Sequence, residues 1–223
     1  MNGWLHWRYG RRAESTPLAA NYAQALPALS ARFVDSELLA LDLETTGLDP
    51  KRDRILSIGW VLVRRGGIHM CESGHLLVNS STGSVGHSAT IHGLLDSDVA
   101  AGVSLEQAML RLLPLLTGRA LLAHCAVIEV EFLTRACRAL YGVPPRLRVV
   151  DTMAIEAHLR RHHNDLDDAL RLHACRARYH LPRYRGHNAA VDALACAELL
   201  LAQTTRIAPP ERLSLGDLCR YGG

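Results

Sequence analysis

The stretch Leu39-Ala40-Leu41-Asp42-Leu43-Glu44-Thr45-Thr46-Gly47-Leu48 places two carboxylates two residues apart inside an apolar run. Side chains alternate along a strand, so Asp42 and Glu44 share one face, about 6 to 7 Å apart. Like charges on one face of an apolar strand repel and resist leaving water unless cations hold them there. The pair therefore reads as part of a divalent-metal site. An isolated D-x-E is as often a solvated face, and the rest of the chain decides between the two.

Two further segments add inward acids. In His124-Cys125-Ala126-Val127-Ile128-Glu129-Val130-Glu131-Phe132-Leu133 a strand runs into a helix whose buried stripe is expected at Phe132, Leu133, Ala136 and Leu140. Glu129 continues that stripe three and four residues earlier, and Glu131 lies on the other side. In His187-Asn188-Ala189-Ala190-Val191-Asp192 the stripe Ala195, Cys196 and Leu199 again begins with a carboxylate, Asp192. His187 is five positions from Asp192, about 140° around a helix, so the two share a site only if His187 lies in the loop before it. The approach through Tyr184-Arg185-Gly186 suits such a loop, and the alanines that follow suit close packing on a sheet.

These residues resemble the DEDDh group of 3′→5′ exonucleases, the DnaQ-like family that includes the proofreading subunit of bacterial replicative polymerase. Asp42, Glu44 and Thr45-Thr46-Gly47-Leu48 resemble its first motif, residues 123–133 its second, and His187 with Asp192 its third. Ile91-His92-Gly93 and Val150-Asp151-Thr152 fit the same pattern, and the resemblance spans about residues 38–203. The chain departs from the family at two positions: Glu129 stands where Asp is usual, and Cys125 where Asn usually follows the His. Glu keeps the charge and projects it one methylene further.

Strands expected near 38–44, 54–64 and 68–78, the last two joined by Gly66-Gly67, form a meander. A helix follows, marked by Leu105, Met109, Leu112, Leu113 and Leu116. Then come a strand at 120–124, a helix to about 141, a strand at 147–151, and helices near 153–162, 166–175 and 188–203. This order gives an α/β fold, a mixed five-stranded sheet flanked by helices, similar to the ribonuclease H-like fold of the family. Residues 1–37 are read as an N-terminal extension, 38–203 as the exonuclease domain and 204–223 as a C-terminal tail. The extension begins with Trp4, Trp7, Arg8, Tyr9, Arg11 and Arg12, and a short helix is expected between Ala19 and Phe33, interrupted at Pro27. Packing back on the domain is favoured for it over a free binding arm.

At 223 residues and 48% apolar composition the chain suits one sizeable core and excludes a disordered polypeptide. Of its 25 basic residues only Lys51 is lysine. Arginine suits bidentate phosphate contact, and Arg176, Arg178, Arg183 and Arg185 gather before His187, where a solvated face and a nucleic-acid contact stay equally open. The six cysteines show no C-x-x-C spacing and read as thiols of a reducing compartment. His162, His163, His173 and Cys175 lack a structural-zinc spacing. With no signal-peptide core and no membrane-length apolar run, a cytoplasmic location and no membrane partner are expected.

The resemblance implies two divalent ions, Mg²⁺ or Mn²⁺, held by Asp42, Glu44, Glu129 and Asp192, with His187 as general base. It places the terminal nucleotide on Thr46, Gly47, Leu48 and on Ile91, His92, Gly93. The implied substrate is a nucleic acid with a free 3′ end, DNA before RNA, releasing nucleoside 5′-monophosphates. An exoribonuclease of the same superfamily and a catalytically silent binding or docking module are the alternatives. A polymerase or regulatory partner and a homodimer stay open.

Overall fold

A computed structural model describes residues 2–79, 101–161, 167–209 and 211–220. Ile91, His92 and Gly93, expected at the nucleotide platform, lie outside the described residues. The sheet contains β1 (Glu37–Thr45), β2 (Ile55–Arg64), β3 (Gly67–Leu77), β4 (Ala120–Ala123) and β5 (Arg148–Asp151) in the order β3-β2-β1-β4-β5. The first three strands pair antiparallel, and β4 and β5 add on in parallel. This is the mixed sheet expected from the sequence, and a helix connects β4 to β5, as a parallel pair needs.

Alternation along β1 sorts its side chains between two cores. Leu39, Leu41 and Leu43 join Met109, Leu112 and Leu113 of α3 (Leu105–Leu116) and Phe132 and Leu133 of α4 (Val127–Tyr141). Leu38 and Ala40 join Ile155 of α5 (Thr152–Leu159) and Cys196, Ala197 and Leu200 of α7 (Ala189–Ile207) on the opposite face. Asp42 and Glu44 continue the second set. β1 is paired with β4 only from Leu38 to Ala40, so both acids run on past the paired residues of β4. The chain thus delivers two carboxylates to an open sheet end where α7 begins.

Several expected bounds shift. The buried residues of α4 are Glu129, Phe132, Leu133, Ala136 and Cys137, and Leu140 in its last turn is 37% exposed rather than buried. The helix expected at 153–162 ends at Leu159. The one expected at 166–175 becomes a 3₁₀ turn at Asp167–Leu170 followed by α6 (Leu172–Arg178). A backbone break separates them because Arg171 is extended, with ψ 146°.

The first residues form α1 (Asn2–Ala13) and α2 (Ala19–Ala23), the latter ending at Gln24 before Pro27 is reached. Asn21 Nδ2 donates to the Arg146 carbonyl at 3.1 Å and its Oδ1 accepts from the Arg146 N–H at 2.8 Å. The Tyr22 hydroxyl donates to the Pro144 carbonyl at 2.9 Å. Further along, Phe33 N donates to Leu213 O and Leu215 N to Ala31 O, with Arg32 bridging Ser214 antiparallel. Leu213, and Leu215 and Leu218 of α8 (Leu215–Cys219), are buried in the same core as Phe33. Residues beyond 203, expected as a tail, therefore contribute to that core.

One glycine sets the distance between sheet and helix. Gly59 pairs opposite Asp42 in the β1/β2 register, and a Cβ there would fall on the backbone of Ala189 and Ala190 at the start of α7. Because opposed residues of an antiparallel pair share a face, this contact seats the N-terminus of α7 beside Asp42. Gly59→Ala should lower stability by about 1 to 3 kcal/mol in urea denaturation, the usual cost of overpacking. Hydrolytic activity should fall beyond what the lost stability accounts for.

Candidate active site

Asp192 sits in the first turn of α7. That turn is fixed by Asn188, whose Oδ1 accepts from the N–H groups of Ala190 at 3.1 Å and Val191 at 3.2 Å. This is the side-chain cap that satisfies otherwise orphaned donors. Asp192 Oδ2 in turn accepts the backbone N–H of His187 at 2.8 Å. His187 therefore lies in the loop before the helix, with φ +66° and an exposed side chain. One ligand oxygen from each of Asp42, Glu44 and Asp192 lies within 4.8 Å of the others.

Glu129 is the fourth acid. It is 3% exposed on the first turn of α4, and its Oε2 has no hydrogen-bond partner. Its charge acts on Asp42, although it does not belong to the group of three. Glu131 faces solvent as expected.

The electrostatics match a site built to hold cations. Burial raises Asp42 well above the usual carboxylate range, with Glu129, Glu44 and Asp192 adding repulsion. Burial, then Asp192, raises Glu44 to about 7. Glu129 is raised to about 8, mainly by burial. Burial also raises Asp192, against the N–H groups of His187 and Asn188. A buried carboxylate oxygen with no donor, beside an all-oxygen set of acids, fits a hard divalent cation. A thiolate-seeking metal fits less well.

The turn after β1 is internally bonded. Thr45 Oγ1 donates to the Gly47 carbonyl at 2.6 Å, and Thr46 Oγ1 donates to Asp53 Oδ1 at 2.9 Å while accepting from Arg54 N at 3.0 Å. Leu48 projects from this turn, 74% exposed. An apolar side chain held out into solvent at the edge of a site is suited to contact with a base.

Besides Cys125, three residues take structural roles that the sequence reading did not assign to them. Asp151 caps α5, its Oδ1 accepting from Met153 N at 2.8 Å and Ala154 N at 3.3 Å. It also accepts from Cys125 N at 3.1 Å and Ala126 N at 3.0 Å at the start of α4. One carboxylate thus fixes the turn that aims Glu129, and Asp before a helix was the available signal. Cys125 occupies the left-handed region at φ +68°, which Asn tolerates better than most residues. The Asn that the resemblance leads one to expect at this position would suit that conformation, and the Cys found there is disfavoured in it. His124 bridges Thr152 Oγ1 and the Leu170 carbonyl, both at 2.8 Å, and burial lowers its pKa. The third residue is Arg176.

The arginine cluster divides. Arg176 and Arg178 turn inward, the first onto Glu198 and the second onto Glu156. Arg183 and Arg185 are exposed. A cleft of about 670 Å³ is lined by Asp42, Glu44, Asp192 and His187 together with Arg171, His173, Arg183 and Tyr184. Acids and arginines lining one cleft suit a ligand with a phosphate backbone.

Residues 39–200 match the family model RNase_T, described as Exonuclease. The chain belongs to this exonuclease family. It is 28% identical over 170 residues to the PolC-type DNA polymerase III of Thermotoga maritima, covering 76% of this chain and 12% of that protein. The PolC-type enzyme of Caldanaerobacter subterraneus is 25% identical over 174 residues, 78% of this chain and again 12% of the relative. The chain therefore spans about an eighth of the length of these relatives. Among solved structures, E. coli ExoI in a complex with ssDNA superposes with a TM-score of 0.66 at 16% identity, covering 77% of this chain and 41% of that one. Cell-death related nuclease 4 gives 0.65 at 16% identity, covering 77% and 64%. These neighbours share the ribonuclease H-like fold, and the expectation of a DnaQ-like exonuclease holds.

The raised acids fix a pH dependence. Glu44 and Glu129 bind protons more tightly folded than unfolded, so their contribution to stability is complete below the unfolded value of about 4.5 and is lost as pH rises through about 7 and 8. With chelator present, the melting temperature should fall between pH 5 and pH 8. Mn²⁺ should restore it most at the upper end. A melting temperature that is flat in pH and insensitive to Mn²⁺ would contradict the site's electrostatics.

Proposed function

We propose that the chain is a metal-dependent 3′→5′ exonuclease that removes nucleoside 5′-monophosphates from single-stranded DNA. The observation that carries this reading is the convergence of the Asp42, Glu44 and Asp192 carboxylates, with buried Glu129 acting on Asp42, in a cleft that Arg171, Arg176 and Arg183 also line. Mg²⁺ or Mn²⁺ bound there supplies Lewis-acid activation of water and neutralises charge developing on the leaving 3′ oxygen.

The chain's own residues divide the remaining work. Asp42, whose carboxylate feels the charge of the other three acids, would hold the divalent cation together with Glu44 and Asp192. Glu129 would add its charge to that set. His187, exposed at the cleft edge and held by its backbone to Asp192, accepts the proton of the attacking water. Leu48 and Thr46-Gly47 receive the terminal nucleotide, together with Ile91-His92-Gly93. Arg183 and Arg171 contact phosphates upstream. DNA is favoured over RNA because the curated relatives are DNA polymerases and the structural neighbours include ssDNA complexes. A cytoplasmic location accords with six free cysteines, and no helix among the described residues is long and apolar enough to cross a membrane.

The test is release of mononucleotides from 3′-labelled single strands of DNA and RNA, with Mg²⁺, Mn²⁺ or chelator. Divalent-dependent release from DNA is expected, and equal rates with chelator would overturn the reading. Asp42→Ala should abolish turnover without unfolding. His187→Ala should lower kcat by about 10² to 10⁴-fold, the range for loss of a general base, with divalent affinity unchanged.

Glu129 separates charge from reach. Glu129→Asp should keep substantial activity with an altered Mg²⁺/Mn²⁺ preference, and Glu129→Gln should lose most of it, because the amide keeps the shape and removes the charge. Glu131→Gln, on the exposed face, should match wild type. Full activity in Glu129→Gln would remove that residue from the metal set.

A further inference from the structure

The segment between α6 and α7 carries His187, yet among the described residues 182–186 make no backbone–backbone hydrogen bond. His187 itself is held in the left-handed region, where a residue with a Cβ is disfavoured. A loop without internal bonds does not by itself keep an imidazole at a fixed place. Besides the His187 N–H bond to Asp192, order comes from a side-chain buckle. Arg176, 4% exposed on α6, donates from Nη1 to the Ala195 carbonyl at 2.6 Å and from Nη2 to the Pro182 carbonyl at 2.9 Å. Its Nη2 also lies 2.7 Å from Glu198 Oε2.

The loop supplies the other half. The Tyr184 hydroxyl donates to Glu198 Oε1 at 2.8 Å, and the guanidinium of Arg176 lies 4.6 Å from the centroid of the Tyr184 ring. Both Glu198 and Ala195 belong to α7, the helix that carries Asp192. A single guanidinium therefore ties α6, the start of the loop and the metal-binding helix together, and Tyr184 ties the loop's middle to the same carboxylate. The planar fork of arginine makes this possible, since lysine offers a single point of charge.

We propose that Arg176, Glu198 and Tyr184 form a positioning buckle that holds the loop 182–187 so that His187 meets the attacking water. The buckle rests on the reading of His187 as general base. It acts through that residue and touches no reacting atom. Its energetic weight falls on kcat, because a small misplacement of a general base slows the chemical step with little effect on substrate capture or on cation binding.

Tyr184→Phe removes one oxygen and keeps the ring, so the fold is preserved. Its kcat on 3′-labelled single-stranded DNA should fall about 10-fold, in line with the sensitivity of catalysis to placement. KM and the Mn²⁺ affinity measured by calorimetry should stay unchanged. Arg176→Lys should fall further, and Glu198→Gln, which keeps the length but turns one of the two acceptor oxygens into a donor and removes the charge facing Arg176, should fall at least as far as Tyr184→Phe. The deciding measurement is the cycle with His187→Ala under single-turnover conditions. If the buckle works through His187, Tyr184→Phe causes no further loss in that background. The same fold-loss in both backgrounds, or a change confined to KM, would overturn the buckle and make Tyr184 a substrate contact. Wild-type kcat in the single His187→Ala variant would remove the general-base reading and the buckle together, and that variant alone identifies this outcome.

Discussion

Buried and half-buried carboxylates that repel one another are the constraint around which this chain is organised. Asp42, Glu44, Glu129 and Asp192 come from three separate elements, and burial raises the pKa of every one of them. Left in an apolar surrounding they are strongly unfavourable as anions. The rest of the fold has to hold them together against that repulsion. It does so with two apolar cores, one on each face of β1, whose burial is insensitive to the charge state of the site.

The means of holding are backbone contacts more than side-chain ones. Gly59 admits the start of α7 against β2, Asn188 fixes its first turn, and Asp151 fixes the turns at the start of α4 and α5. Each acid is thus mounted on a rigid element end, close to where strand pairing stops. Helix N-termini suit that duty, since their exposed N–H groups favour nearby negative charge. Asp192 and Glu129 both lie in a first turn.

Much of this was legible in the sequence because alternation and helical spacing act locally. The period of two in β1 assigned Asp42 and Glu44 to one face, and the three-to-four spacing assigned Glu129 inward and Glu131 outward. The loop position of His187 followed from its angular offset to Asp192. What the sequence did not reveal depends on partners distant along the chain. Nothing local says that Arg176 turns inward onto Glu198 while Arg183 stays exposed, because a charge run reads the same in either case. The capping of α4 by Asp151 joins residues 25 and 26 positions apart, beyond any periodic signal. Leu140 lies on the same face as Leu133 and Ala136 but in the last turn of α4, so spacing alone could not show that it is 37% exposed.

The antiparallel clasp of residues 31–33 with 213–215 has a mechanical side. It closes a loop that contains every acid of the site, His187 and all five strands. Tension entering along the backbone from either flank meets the contacts of α2 with residues 144–146 or the clasp itself before it reaches β1. Within the closed loop, the spacing of the carboxylates is shielded from forces on the flanks, in the way a strain-relief knot protects a soldered joint. Joined to moving neighbours in a larger polypeptide, such a unit could be towed without its metal-binding geometry being pulled out of register.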